Sequence, residues 1–574
     1  MFGVCLGLQS LAVEYGAEIR RLDVVKHGQI SEIHHLDTDI FAKLGHIQAV
    51  RYHSLHAHID GRPDLIPLAW AEDGEENGRV LMALRHVTKP FWAVQYHPES
   101  VCTRPGGEGL IRNFWRLAAQ WTQARGRHAR PWTPDVELHV GPPWPGVSPS
   151  VGPVVERTSM LVSTRTVQIL KAGIPRICEM LGVEDDSSDF VMLDSAAAPG
   201  RFSIIASLLP TSIRITYFAG GPSVQVQRGG DVVHEPLGSV DIWAWLSTFM
   251  QTRKAHGGSA SIPFWGGLVG YLSYELGVQT LTPLPPRAAI RHPDANLVFV
   301  ERSIVIDSHT GFAYIQSILP EDEDWLTTMV SRLEILEDPQ RKCALESVST
   351  PSTARKGHHD PAVMLPDRES YISKVVQAKE WLFSGDSYEL CVTAPTRIVA
   401  DRSPSAIAHG TSSSWDLYKI LRSRNPAPHA AYIRLHPSTL VSSSPERFVS
   451  YSRPPDRVAQ LRPIKGTVRK APGITRAVAE EMLAGSKKEV AENLMIVDLI
   501  RHDLHGVVGE DVQVKQFCAV EEYETVWQLV SVIEGRPDPS VKEYGATDLG
   551  WEILRNSLPP GAHVFICVCI DACV

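Results

Sequence analysis

The stretch Leu461–Lys470, LRPIKGTVRK, sets a lysine on the shoulder of a Gly-Thr turn. Gly466 can take positive φ and let a ligand come close to the backbone. Thr467 offers a hydroxyl and an N–H at the same place. Lys465 there can be a charge for an anionic substrate, or a nucleophile if partial burial lowers its pKa. An exposed lysine ahead of a turn is the plainer alternative. In SSSPERFVS, Glu446 stands at a predicted strand end, 465 − 446 = 19 positions upstream. That spacing allows a strand, a turn and a return strand, which would bring carboxyl and amine into one cleft as acid and nucleophile. A structural salt bridge with Arg447 is the alternative.

A second constellation opens the chain. Phe2–Val4 is a short apolar run, Cys5 follows, and Leu8, Leu11, Ala12 and Tyr15 share one helical face. Strand, nucleophile on a sharp turn, then helix is an elbow arrangement, and a helix N-terminus lowers a thiol's pKa. In FWAVQYHPES, His97 and Glu99 are two apart on an extended segment and point the same way. A histidine near the thiol, steered by a carboxylate, is a general solution for nucleophilic catalysis. A buried structural cysteine and a surface histidine are the alternatives.

A third candidate lies on a helix predicted over Ser486–Leu504, with Ser486 and Glu489 as a capping box. Glu492 on this largely buried helix needs a cation or hydrogen-bond donors. Lys488 one turn earlier is one partner; magnesium, completed by an anionic substrate, is the other. Asp498 with Arg501 or His502 reads as local pairing.

The elements that must position these residues are those of a large protein. The 574 residues suffice for roughly two or three domains. A net charge of −9 argues against non-specific nucleic-acid binding, and no apolar run reaches membrane-spanning length. Nine cysteines, scattered apart from Cys567, Cys569 and Cys573, suit a reducing compartment. A zinc-like cluster of these three with His563 lacks the usual spacing. Residues 1–122 form a first predicted domain. A linker follows over 123–155, with seven prolines. Residues 156–340 and 341–574 then form two parts of an α+β region. In it, strands are predicted within Asp189–Ser207, Ser212–Phe218, Ser223–Arg228, Ala295–Asp307, Tyr388–Thr393, Ala431–Leu435 and Leu440–Ser443. Tyr371 opens an amphipathic helix that ends near Ser384. Pro263–Leu276 reads as a packed bend or helix, and the Ser/Pro-rich stretches 331–366 and 400–414 as surface loops.

GVCLGLQ, KHGQIS (Lys26–Ser31), RYHSL (Arg51–Leu55) and AVQYHPES resemble the class I glutamine amidotransferases over about residues 1–120. That resemblance implies an open, mostly parallel α/β sheet. It also implies Cys5 as nucleophile on a glutamine amide, His97 as proton shuttle and Glu99 as its orienter. Gln9 would hold substrate, and the Cys5 and Leu6 amides would form an oxyanion hole. GRFSIIAS, GGLVGYLSYELG, SGDSYELCVT, SSSPERFVS, RPIKGTVRK, ENLMIVDLIRHDL and YETVWQLVSVIEG resemble, in order, the chorismate-utilising enzymes. They imply packed antiparallel sheets. Lys465 in place of the alanine usual in anthranilate synthases makes the match one to aminodeoxychorismate synthases of the bifunctional kind.

The resemblance implies that Lys465 attacks C2 of chorismate and expels the C4 hydroxyl, that Glu446 protonates it, and that ammonia from the glutaminase then adds at C4. Glu492 would contact Mg2+, Gly466 and Thr467 would touch substrate, and Ser195 and Arg201 would lie near an amino-acid pocket. Glutamine, chorismate and a later aminodeoxychorismate lyase are the implied partners, and cytoplasm, or a plastid, the compartment. Three departures stand out. Cys5 lies unusually early, so strands expected before it are absent and a weakly folded or inactive glutaminase is expected. Trp527 replaces a usual histidine. After Ser557–Gly561 the chain reads AHVFICVCIDACV instead of a carboxylate-gripping loop and a second metal-binding glutamate, so chorismate turnover is expected to be severely reduced. C2 amination of the anthranilate synthase type, and a degenerate binding or regulatory paralogue, are the alternatives.

Overall fold

A computed structural model describes residues 1–127, 160–278, 292–337, 362–387, 389–399, 414–509, 511–537, 549–558 and 566–571. The expected linker lies almost wholly outside them.

The N-terminal unit is one six-stranded sheet between two helices. Its strands are β1 (Phe2–Val4), β2 (Glu18–His35), β3 (Ile47–His58), β4 (Leu65–Glu72), β5 (Arg79–His86) and β6 (Trp92–Val94), in the order β1-β6-β5-β4-β2-β3. Helix α1 (Leu6–Glu14) buries Leu8, Leu11 and Ala12 against one face, and α2 (Glu108–Ala124) seats Leu110 on the other. The expected mostly parallel sheet is not what these residues make. Only β1 and β6 run parallel, and every other pair is antiparallel. The connections β4–β5 and β5–β6 are short, and β2–β3 is joined by the loop 36–46 with one 3-10 turn; all three reverse the chain, whereas a parallel pair needs a long crossover.

The larger sheets of the rest are antiparallel, as expected; only the short pair Met160–Leu161 and Ala255–His256 runs parallel among the described residues. One sheet runs Ser438–Ser444, His429–Leu435, Phe190–Asp194, Phe202–Ala206, Arg302–Asp307, Phe312–Ser317 and Ser163–Gln168. A second runs Asp231–Pro236, Ser223–Arg228, Arg214–Tyr217, Ala295–Val300, Gly267–Leu272 and Ile566–Asp571. Val191, Val305, Ala431 and Ile433 of the first pack with Val269, Val298 and Val300 of the second in one core, so the two sheets form a sandwich. A third sheet joins Val449–Tyr451, Ala459–Leu461, Val526–Gly535 and Ile464–Arg469, with Val512–Glu522 also on Val526–Gly535. The long helix Lys487–Val508 covers it through Val497, Leu504, Val507 and Val508. Its N-cap is Ser486, whose hydroxyl accepts the Glu489 N–H.

Three local expectations are corrected. Pro263–Leu276 contains a fully buried strand, Gly267–Leu272, because a side chain at Gly270 would strike the Asn296 carbonyl at 2.0 Å. Glu389–Thr393 is not a strand; the chain regains one at Arg397–Val399. Residues 331–337 are helical, within Glu323–Glu337.

Candidate active sites

Cys5 sits between β1 and α1 with φ 51°, a left-handed conformation that throws its thiol out of the turn. Gly3 makes this bend possible: a Cβ there would meet the Gly7 backbone at 2.8 Å. His97 Nδ1 lies 2.7 Å from Glu99 Oε1, so the carboxylate fixes the ring as expected. His97 Nε2 is buried without a hydrogen-bond partner among the described residues. Burial alone would lower the His97 pKa, but the nearby Cys5 thiol and the hydrogen-bonded Glu99 carboxylate outweigh it and hold the ring up at about 9. Burial opposes Glu99's ionisation too, yet the histidine keeps that carboxyl below its usual range.

Two expected roles change here. The Cys5 N–H donates to Val94 O at 2.8 Å and is not available as an oxyanion donor, whereas Leu6 opens α1. Gln9 turns inward and spends its amide donors on Leu55 O (2.9 Å) and Gln95 Oε1 (3.3 Å). Gln95, which the motif reading passed over, donates to Cys5 Sγ at 3.4 Å.

The second site is on the third sheet. Lys465 and Gly466 fall where the strand Ile464–Arg469 slips register against Val526–Gly535. The expected Gly-Thr turn is therefore a β-bulge, which re-aims a side chain out of the ladder. Gly466 has φ 79°, and a Cβ on it would meet Glu489 Oε2 at 2.8 Å. Lys465 is only 17% exposed, with Nζ 3.3 Å from Glu389 Oε1. Glu446 is brought to the same place: its Oε1 accepts the Ile464 N–H at 3.2 Å. Burial raises the Glu446 pKa, opposed by that N–H and by the Lys465 charge. Thr467 Oγ1 accepts from Gln528 Nε2 at 3.3 Å beside a cavity of about 190 Å³ that also touches Ala197, Asn425, Ser443 and Pro445.

Ser195 and Arg201 do not line that cavity. The Ser195 hydroxyl donates to Phe202 O at 2.6 Å, and Arg201 pairs with Asp307 at 2.7 Å. Glu492 pairs with Lys488 at 3.2 Å, the local alternative. Trp527 is buried on the strand next to Lys465, among Ala479, Leu483 and Leu529.

The two sites share a wall. Asp498, on the helix that carries Glu492, pairs with Arg501 as expected (3.1 Å) but chiefly faces the N-terminal unit. It accepts the Tyr52 hydroxyl at 2.8 Å, the Ser100 hydroxyl, and the Val101 N–H at 3.1 Å. Arg501 donates to Glu99 O at 3.0 Å. Gly28, at φ 67°, lies so close to the same helix that a Cβ would meet Ala491 O at 2.5 Å. The N-terminal unit thus packs directly on the helix that carries Glu492.

Known proteins agree with this division. Residues 1–117 match the family model for glutamine amidotransferase class-I, and residues 207–564 match that for chorismate binding enzyme. The fold and sites therefore define a chain with a glutamine amidotransferase unit ahead of a chorismate-binding enzyme. An aminodeoxychorismate synthase of Saccharomyces cerevisiae is 32% identical over 98% of this chain and 74% of its own length. One from Streptomyces griseus is 31% identical over 93% and 70%, and a chloroplastic one from Arabidopsis thaliana 26% over 98% and 72%. The chain belongs to the aminodeoxychorismate synthase family.

Proposed function

We propose that this chain takes ammonia from glutamine and places it on C4 of chorismate, giving 4-amino-4-deoxychorismate, the substrate of a later aminodeoxychorismate lyase. The observation that carries the reading is Lys465, aimed out of its strand by a bulge and flanked by Glu389 and Glu446. Cys5 attacks the amide, His97 moves the proton, and Glu99 orients it. Leu6 lends an amide N–H, while Gln9 supports the pocket from behind. Lys465 then attacks C2, Glu446 protonates the departing C4 oxygen, and Gly466 and Thr467 meet the substrate. The shared helix supports direct interdomain transfer of ammonia.

Glu492 is the proposed protein donor for Mg2+. Carboxylate oxygen suits that ion, which takes one or two carboxylates and completes its shell with water and substrate. Glu492 contacts the Lys488 ammonium at 3.2 Å, so an ion there would take the place of that charge and draw its other ligands from water and substrate. The bound ion would supply positive charge for a substrate carboxylate. Domain limits of 1–122, 123–155, 156–340 and 341–574 belong to the same proposal. So does a cytoplasmic location, with the plastid as the alternative raised by the chloroplastic relative.

The test is product analysis with chorismate, Mg2+ and either glutamine or ammonium. The 4-amino product should form from both nitrogen sources. Cys5→Ala should lose only the glutamine reaction, and Lys465→Ala should lose both. A 2-amino product, or full activity in Lys465→Ala, would overturn the proposal.

A further inference from the structure

A lysine used as a nucleophile must first lose a proton, and the motifs assign no group to take it. Lys465 is largely shielded from water, so the acceptor must be local. Glu389 Oε1 lies 3.3 Å from Lys465 Nζ, and the Glu389 side chain is itself 26% exposed. The other carboxyls around this amine have different work. Glu446 is held toward its protonated form by burial and is committed to the leaving oxygen. Glu489 packs beside Gly466 and shares Lys488 with Glu492. Among the described residues, Glu389 is the acceptor in direct contact with Nζ.

Its loop is also well anchored. The helix Arg368–Ser384 ends at Gly385 in left-handed conformation, four positions before Glu389 by subtraction (389 − 385). Gly385 packs on Leu55, and Leu382 O accepts the Ser54 hydroxyl at 2.8 Å. The N-terminal unit therefore holds the segment that presents this carboxylate.

We propose that Glu389 is a further catalytic residue, which orients the Lys465 ammonium in the resting site and accepts its proton when chorismate binds. This rests on the nucleophile reading above. In the step, one N–H bond of Lys465 breaks and the proton passes to the Glu389 carboxylate. The freed lone pair forms the bond to C2. Both ring double bonds shift in turn, C1=C2 to C1=C6 and C5=C6 to C4=C5, and the C4–O bond breaks with its electron pair on oxygen, which takes the Glu446 proton and leaves as water. The products are a secondary ammonium on the ring, neutral Glu389 and ionised Glu446, with the total charge unchanged.

The experiment measures the rate of the chorismate adduct on Lys465 by quench and intact-protein mass, with Mg2+ and without a nitrogen source, across pH 6–9. In the parent the rate should change little around neutrality, because the proton has a built-in acceptor. In Glu389→Gln it should fall about 100-fold at pH 7 and climb roughly tenfold per pH unit, since only amine already deprotonated reacts. Chorismate affinity should stay within about threefold, and Glu389→Asp should keep a substantial part of the rate. A purely structural role would lower the rate without that slope. Equal rates, or the same pH profile, in parent and Glu389→Gln would overturn the inference. No adduct in the parent would sink the nucleophile reading, and this inference with it.

Discussion

Replacing Asp498 by alanine should loosen the helix that joins the two sites. The carboxylate is 15% exposed and its Arg501 partner 23%. It holds three donors from the N-terminal unit, from Tyr52, Ser100 and Val101, besides the guanidinium. Removing one partner of a buried ionic group costs about 3–5 kcal/mol, because the remaining groups stay desolvated and unpaired. Allowing water to reach part of the site, we take about 3 kcal/mol, or roughly 150-fold in a local opening equilibrium. Hydrogen exchange read by mass spectrometry is the assay. The peptide spanning residues 96–104 should exchange about 100-fold faster in Asp498→Ala, while Phe190–Ala206, in the sandwich core, should not change. Glutaminase turnover should fall as well, since Arg501 also steadies Glu99. Less than threefold acceleration in that peptide would refute the view that Asp498 clamps the units together.

Three further outcomes follow from the geometry. His97 is held up at about 9, above its unfolded value near 6.5, so the stability it contributes is full below 6.5 and is lost as pH rises through about 9. Glutaminase activity that needs the imidazolium should decline above that pH, and Glu99→Gln should move the decline to lower pH, measured as glutamate release. Glu446→Gln should cut adduct formation about 100-fold by removing the acid, with chorismate affinity nearly unchanged in a binding titration. Gly28→Ala, which combines positive φ with a 2.5 Å clash on Ala491 O, should destabilise the full chain by about 2–3 kcal/mol in urea unfolding.

What the sequence made legible was local. Gly3, Cys5 and Gly7 define their elbow within five positions, and His97 and Glu99 meet across two residues, although by a turn closed by the Ser100 N–H on His97 O and not on the extended backbone expected. Glu446 and Lys465 met because a few short strands link them. The rest depended on contacts that spacing does not encode. Glu389 lies 76 positions from Lys465, in a stretch whose apolar residues read as strand. Asp498 has an obvious partner three residues away, which hid partners 398 and 446 positions distant. The Gly-Thr pair signalled a turn, whereas the register slip that makes it a bulge arises only against Val526–Gly535. The parallel sheet was inferred from family likeness, while the hairpins of β2 to β6 dictated antiparallel pairing.

The account rests most directly on the fate of one side-chain nitrogen. Chorismate and Mg2+, incubated with the chain in the absence of glutamine and ammonia and then quenched and digested, should leave a mass equal to chorismate minus water on the peptide bearing Lys465, and nowhere in Lys465→Ala. An unmodified Lys465 in a chain that still produces 4-amino-4-deoxychorismate when ammonium is added would contradict it.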